Sequence, residues 1–493
     1  MPVRARASSG RLMRSPRGLW TATFLAFGAG CTVGPNYKRP DPVGPTPAAF
    51  KEQQPGGDWK AAQPGDTALR GKWWTLFGDA QLSALEEKVV VSNQTLKAAA
   101  AQYQAARDQV RVARAGYFPT VALGPSATHT SESTNQPGTI PGVTRYRFNT
   151  FVLPLQASWE PDLWGQVRRT VEQARANVDA SAADLANVAL SLHSELALDY
   201  FTLRGLDTQK QLLESTLASD VDYLQLTQVR FKGGIATEVD VAQAETQVRS
   251  VKAQSIDLGV ARAQMEHAIA LLIGVPPASF SLPPSAAPTA LPVVPVGVPS
   301  ALLERRPDVA AAERRVAAAN AAIGVATAAY YPNVTLGAAG GLESGFLGTL
   351  FQVSSLFWSL GASATETLFD AGRRHALTDQ ARDLYEGQVA TYRQSVLNAF
   401  REVEDNLAAL RVLSEESEAE DLAVEAARHS LALSTQRYKG GVTSYLEVLT
   451  AQTIQLASER TQADLVTRRY AASVQLVKAL GGGWDASKLA SKD

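Results

Sequence analysis

The chain repeats itself once, at a spacing of roughly two hundred residues, and that repeat limits what it can fold into. Ala115-Gly-Tyr117-Phe118-Pro119-Thr-Val-Ala-Leu-Gly124 returns as Ala328-Ala-Tyr330-Tyr331-Pro332-Asn-Val-Thr-Leu-Gly337. Arg230-Phe-Lys-Gly-Gly-Ile235 returns as Arg437-Tyr-Lys-Gly-Gly-Val442, so both copies keep the same order of parts. A unit this long is not a solenoid repeat, whose period runs to about 20–45 residues.

Each copy carries long helix signals. No proline lies between Pro161 and Pro276, and none follows Pro332. Proline costs a helix interior ~3 kcal/mol, so these gaps permit very long helices. Segments 166–232 and 373–439 are rich in Ala, Leu, Gln, Glu and Arg. With a rise of 1.5 Å per residue each reaches ~100 Å, the length of a pillar rather than of a globular domain. Gly233-Gly234 and Gly440-Gly441 end them, because glycine readily takes the left-handed cap conformation. A second helix returns from each turn, over 237–273 and 444–480. The apolar pattern is thin and alanine-rich, as in Val178, Ala182, Leu185, Val188, Ala189 and Leu192, which suits closely approaching, coiled-coil-like helices.

The rest of each copy is strand-like. Pro119–His129 and Tyr146–Trp159 carry Val121, Leu123, Phe148, Phe151, Leu153 and Leu155 with small or polar residues between, around the loop Thr130–Val143. The second copy gives Asn333–Leu342 and Leu356–Leu368 around a Gly-rich loop. Strands of about ten residues are the length a tilted strand needs to cross a bilayer. Two readings fit: a small soluble sheet capping the helices, or four strands of a membrane barrel. An open edge inside lipid is forbidden, so in the second case several chains share one barrel, and twelve strands from three chains is the natural closure. Tyr117, Phe118, Tyr146, Trp159, Tyr330, Tyr331 and Trp358 fit interfacial girdles.

The N-terminus carries an address. Arg4, Arg6, Arg11, Arg14 and Arg17 precede an apolar stretch from Leu19 to Gly30, with no acid or lysine among the first thirty residues. This is the layout of a secretory signal, and its apolar core is shorter than the about 20 residues a spanning helix needs. Cys31, the single cysteine, directly follows Gly28-Ala-Gly30 and resembles a lipobox cysteine, with Gly28 where that motif usually has leucine. Acyl chains there add about 0.8 kcal/mol per buried methylene, and two or more hold a protein on a membrane. The bland alternative is an ordinary signal beside a chance cysteine.

Removing the five arginines takes the formal charge from -1 to -6, so nothing suggests a nucleic-acid partner. Five His, three Met and one Cys leave little for a metal site or a disulfide framework, and no cofactor is implied. His129, His193, His267, His375 and His429 stand isolated, without a metalloprotease, Gly-x-Ser-x-Gly or Walker motif, and an enzyme is not expected. The acid pairs Glu415-Glu416 and Glu402/Glu404 read as solvated helix faces.

Several stretches in order across the mature chain resemble the TolC-like outer-membrane efflux channels, in their lipoprotein (NodT-type) branch. They are Cys31-Thr-Val-Gly-Pro-Asn-Tyr-Lys-Arg-Pro40, Trp73-Trp-Thr-Leu-Phe-Gly-Asp-Ala-Gln-Leu82 and Glu160-Pro-Asp-Leu-Trp-Gly165. Val298-Pro-Ser-Ala-Leu-Leu-Glu-Arg-Arg-Pro-Asp308, the most specific, is followed by Leu368-Phe-Asp-Ala-Gly-Arg-Arg374 and Ala479-Leu-Gly-Gly-Gly-Trp484. The resemblance implies a mixed fold of helix and transmembrane strand: a homotrimer whose chains each give four strands to a twelve-stranded outer-membrane barrel, continued by a long periplasmic α-helical barrel. It implies a passive exit duct for drugs or other small solutes, working with a periplasmic adaptor and an inner-membrane pump, and held in outer-membrane lipid. The expected divisions are a signal over 1–30, an extended segment over 31–80, repeat one over 81–275 with its hairpin at 117–160, and a Pro-rich link over 276–300. Repeat two follows over 301–480 with its hairpin at 330–369, then a tail over 481–493.

In this family the periplasmic end closes where the inner helix pairs coil together, just beyond the glycine turns. The matching residues are Asp240, Tyr438, Leu446 and Glu447, with Arg437 and Thr450 in support. Asp240 and Glu447 are equivalents within the repeat, and three-fold symmetry makes each a ring of carboxylates, which attracts cations, while Leu446 narrows the same constriction. Bonds among Tyr438, Arg437 and the acids are expected to latch the closed state. Thr450 stands where many relatives carry a second pore aspartate. The competing reading of both acids is a solvated charge in a helix's first turns, favoured by the helix dipole. Two other functions stay open: the duct of a one-step protein secretion system, and a lipid-anchored periplasmic coiled-coil adaptor.

Overall fold

The computed structural model describes residues 32–42, 44, 49–52, 71–133, 147–287, 291, 292, 294 and 305–484. The signal segment with Cys31, the loop up to Tyr146, residues 298–304 of the Val298–Asp308 run and the tail after Trp484 lie outside them. Among the described residues the α-helices are α1 (Ala80–Ser92), α2 (Gln94–Ala115), α3 (Gln166–Lys232), α4 (Glu238–Leu272), α5 (Pro307–Ala328), α6 (Arg373–Lys439) and α7 (Tyr445–Ala479). The strands are β1 (Thr120–Leu123), β2 (Ser126–Ser131), β3 (Arg147–Trp159), β4 (Asn333–Ser344) and β5 (Leu356–Thr365). The chain forms two compact units, one from residues 1–38, 107–176 and 317–386, the other from 39–106, 177–316 and 387–493. Among the described residues no helix is long and apolar enough to cross a membrane.

The first unit holds the sheet. β3 pairs with β1 and β2 on one side and with β4 on the other, β4 pairs with β5, and every pairing is antiparallel. β1 and β2 are one strand broken at Gly124-Pro125, because proline has no N–H to give the ladder. Among the described residues the sheet is therefore a four-ribbon meander with two open edges. The N-terminal stretch is bound to this unit by α3: Arg169, almost fully buried, donates to the carbonyls of Val33 and Gly34 (3.1 Å each) and to Asn36 Oδ1 (2.9 Å). Gly34 passes so close to α5 that a Cβ on it would lie 2.4 Å from Gly324 Cα, which explains a glycine at that place in the motif.

The second unit holds the core. Trp73, Leu82, Val89, Leu196, Phe201, Ile269, Tyr470 and Val477 pack together, with Phe201 stacked on Tyr470 at 4.4 Å between ring centroids. Asp79 caps α1 by accepting from the N–H groups of Gln81 (2.8 Å) and Leu82 (2.9 Å), and its other oxygen accepts from Tyr200 Oη at 2.6 Å. Glu86 and His193 meet at 2.6 Å where both are buried. Burial pushes the carboxyl up to about 9 and the imidazole down to about 4, so it favours the neutral form of both.

In the described part of the Pro-rich link, backbone groups of residues 282–285 are satisfied by buried and partly buried side chains. Arg204 and Arg262 donate to the carbonyls of Pro283 (2.9 Å) and Leu282 (2.7 Å), and Asp207 accepts from the Ser285 N–H at 3.1 Å. Arg306 of the Arg-Arg-Pro-Asp run joins Glu402 on α6 (2.7 Å), Asp308 and the last carbonyl of α7, Ala479 O (3.0 Å). Glu402 and Glu404 are thus not merely solvated: Glu404 accepts from the N–H groups of Lys51 (2.8 Å) and Glu52 (3.0 Å). A carboxylate that anchors distant backbone has no local sequence signature.

Candidate functional site

Two features bear on function, one in each unit. In the first, residues paired across an antiparallel ladder point to one side. Val121, Leu155, Trp159, Leu336, Trp358 and Leu360 share a side, by the pairings Val121 with Ala157, Trp159 with Leu336, and Ala338 with Leu360. Trp358 and Leu360 are about three-quarters exposed in the single chain. The opposite side carries Ala122, Gln156, Ser158, Gly337, Ala339, Ser359 and Ser363. Over these rows one face is apolar and the other small and polar; toward the far end of the strands the contrast ends, with Phe148, Val152 and Phe357 on the second face and Arg147, Asn149 and His129 on the first. Phe118, Tyr330 and Tyr331 are exposed at the helix end of the strands, and Phe346, Phe351 and Val353 at the other.

The second feature is the pair of helical turns. α3 and α6 both end in a Schellman arrangement. The Ile235 N–H reaches Arg230 O (2.9 Å) and the Gly234 N–H reaches Phe231 O (2.9 Å); Val442 and Gly441 repeat this to Arg437 and Tyr438 (3.0 Å each). Gly234 at φ +73° and Gly441 at φ +78° take the left-handed conformation, while Gly233 and Gly440 still make the helical N–H bonds to Val229 and Gln436.

Beyond the caps the copies part. Thr237 and Asp240 form a reciprocal capping box: the Thr237 N–H and hydroxyl donate to Asp240 Oδ2 (2.8 Å each), and the Asp240 N–H returns to Thr237 Oγ1. The equivalent Ser444 makes no side-chain cap bond. Glu447 instead points to solvent and faces Arg437 at 3.8 Å, both about half exposed. Leu446 and Thr450 are exposed beside it, the Thr450 hydroxyl donating back to Leu446 O at 2.8 Å. Ser430, Ser434, Leu446, Glu447, Thr450 and Ile454 line an open groove of about 340 Å³ between α6 and α7.

Tyr438 is buried with Tyr445, Ala244 and Val448. Its hydroxyl pairs with Thr227 Oγ1 at 3.0 Å, rather than with either acid as the sequence led us to expect. The residue that holds it is Arg230, which the sequence reading passed over. Arg230 lies over the Tyr438 ring at 4.6 Å and donates to Tyr438 O (2.8 Å) and Lys439 O (3.4 Å), crossing from copy one to copy two. The signal for it was present: Arg230 is the repeat equivalent of Arg437. Asp220, Tyr223 and Thr227 precede it on α3 at steps of three and four, on one face of the helix.

The model of the outer membrane efflux protein family matches residues 85–275 and 298–482, one match on each copy of the repeat. The solvent efflux pump outer membrane protein SrpC of Pseudomonas putida is 33% identical over 466 residues, covering 93% of this chain and 97% of that one. Among solved structures, the outer-membrane channel OprN superposes with a TM-score of 0.84 at 32% identity, over 92% of this chain and all of that one. The open state of the MtrE outer membrane channel of Neisseria gonorrhoeae gives 0.79 at 27% identity, over 92% and 99%.

Proposed function

The chain belongs to the outer membrane efflux protein family and is an outer-membrane channel of an efflux pump rather than an enzyme, and from that premise we propose how it is built and what it passes. Three copies share one barrel of twelve strands. The observation that carries this is the sheet of the first unit, which in the rows nearest the helices is apolar and exposed on one face and polar on the other, with both edges unpaired among the described residues. Lipid accepts such a face but not such edges, so β1–β2 of one copy must meet β5 of the next. The polar face lines the lumen. The chain belongs to the NodT-type branch and is acylated at Cys31; the Arg169 anchor on residues 33–36 supports this, because it fixes that stretch to the unit that carries the strands. The cargo is drugs or other small solutes, in keeping with the solvent efflux recorded in SrpC's name, handed on by a periplasmic adaptor and an inner-membrane pump.

The helical turns are the gate. Arg230, Tyr438 and Thr227 hold the two copies together, while Leu446, Glu447 and Thr450 face outward where three-fold symmetry brings neighbours. That MtrE has been solved in an open state supports a movable closure in this family. The test is the mass of the acylated protein in detergent together with single-channel conductance in a planar bilayer. A trimer with small, cation-preferring openings is expected; a monomer that never conducts would sink the shared barrel.

A further inference from the structure

A polar seam runs through the packing behind the turns, and it rests on a carboxyl group with no cation beside it. Asp220 on α3 is fully buried, as is Tyr445 on α7, and Gln452 is 3% exposed. Tyr445 and Gln452 are two helical turns apart on one face of α7. The Gln452 amide donates to Asp220 Oδ1. Three oxygens along this seam have no direct partner: Asp220 Oδ2, Gln452 Oε1 and Tyr445 Oη.

A buried orphan polar atom is rare and calls for an explanation. Two of the three are acceptors only, if Asp220 is ionised. A proton on Asp220 turns one of them into a donor, and it does so whichever way the Gln452 amide is turned. Gln452 from α7 and Gln247 from α4 hydrogen-bond Asp220, Tyr445 of α7 feels its charge, and Tyr223 of α3 and Tyr438 of α6 lie about Tyr445. None carries a positive charge to hold the carboxylate ionised; the two glutamine amides favour that form, against the burial that opposes it.

We propose that Asp220 binds a proton when the turns are packed, and that its loss loosens α3 from α7, making the seam a proton-operated latch behind the gate. This rests on the reading of the turns as the gate. Burial pushes Asp220 up to about 6 from an ordinary 3.8, with the glutamines pulling the other way. The packed seam therefore takes up the proton between these values while an opened one does not. Packing is tightest below the lower value and weakens as pH rises to the upper one, by about a hundredfold in the packed-to-open ratio, and then stays constant.

Asp199, elsewhere in this unit, is pushed up to about 6 as well, so global unfolding is the wrong readout. Amide hydrogen exchange over 216–230 and 445–456, corrected for its intrinsic pH dependence, reads the seam itself. In the trimer, protection is expected to fall from pH 4 to 6.5 in the wild type and to stay high and flat in Asp220→Asn. If Asp220→Asn does not assemble, Gln452→Leu serves, and its fall moves to higher pH because a bond to the ionised form is gone. Identical profiles in wild type and variant overturn the latch; a bridging water with Asp220 always ionised gives that result. Single-channel open probability is measured alongside, with Arg230→Ala as the opening control. If exchange responds while conductance ignores pH, Asp220→Asn and Arg230→Ala alike, the gate reading fails and the latch stands.

Discussion

After Gly234 the first turn closes on itself: Thr237 and Asp240 satisfy each other, and Arg230 reaches out to clamp the other copy. After Gly441 the second turn does neither. Ser444 leaves its cap unmade, Arg437 stays beside its own Glu447 at the surface, and Leu446 and Thr450 lie open. The two started from the same sequence pattern, so the difference is a division of labour. One turn is finished within the chain and supplies the fastening; the other is fastened from behind and keeps its outer side free. A duplicated element lets one copy hold while the other presents.

The sharpest way to break this comparison is to delete each arginine in turn. Arg230→Ala removes charged hydrogen bonds, worth ~1.5–3 kcal/mol, and a ring contact of ~1 kcal/mol. The open-to-closed ratio in planar-bilayer recordings should rise by at least tenfold. Equal effects from Arg230→Ala and Arg437→Ala would end the claim that the turns differ. Next in size is Tyr438→Phe, which strips the hydroxyl from Thr227 and leaves the ring stacked. A loss of ~1 kcal/mol, about fivefold in open probability, is expected.

Asp240→Ala should weaken the start of α4 by ~1 kcal/mol through the lost capping box, seen as faster hydrogen exchange over 238–242. Glu447→Ala should leave exchange over 445–449 nearly unchanged and instead lower the channel's preference for cations. The smallest effect belongs to Arg437→Ala, whose exposed pair with Glu447 falls in the range of ~0–1 kcal/mol. A fall in stability larger than that of Asp240→Ala would show that the second turn is fastened from its outer side after all.

The apolar face of the sheet and the buried face at the turns differ in how far the sequence reveals them. Period-two alternation over β3 and β4 places side chains on their faces directly, since a strand's geometry is local. Helix length was equally open to reading, because proline's absence and paired glycines act within a few residues. The same holds for the two turns, whereas Pro119–His129 read as one strand and the structure breaks it at Gly124-Pro125.

Partner choice was not open in that way. Asp240 and Glu447 occupy equivalent places and look alike in sequence, yet one is spent on a cap and the other is left to solvent. Arg230 and Arg437 match as well, and only one finds a tyrosine. Their partners lie across the duplication, 208 residues away for Arg230 and Tyr438 and 232 for Asp220 and Gln452. The sequence by itself determined where helices run, where they turn, which strand faces are apolar and to which family the pattern belongs, because each of these is set by neighbours along the chain. Only the tertiary structure decided which of two equivalent side chains is buried and which is free. That choice depends on what the other copy of the repeat brings within a few ångströms.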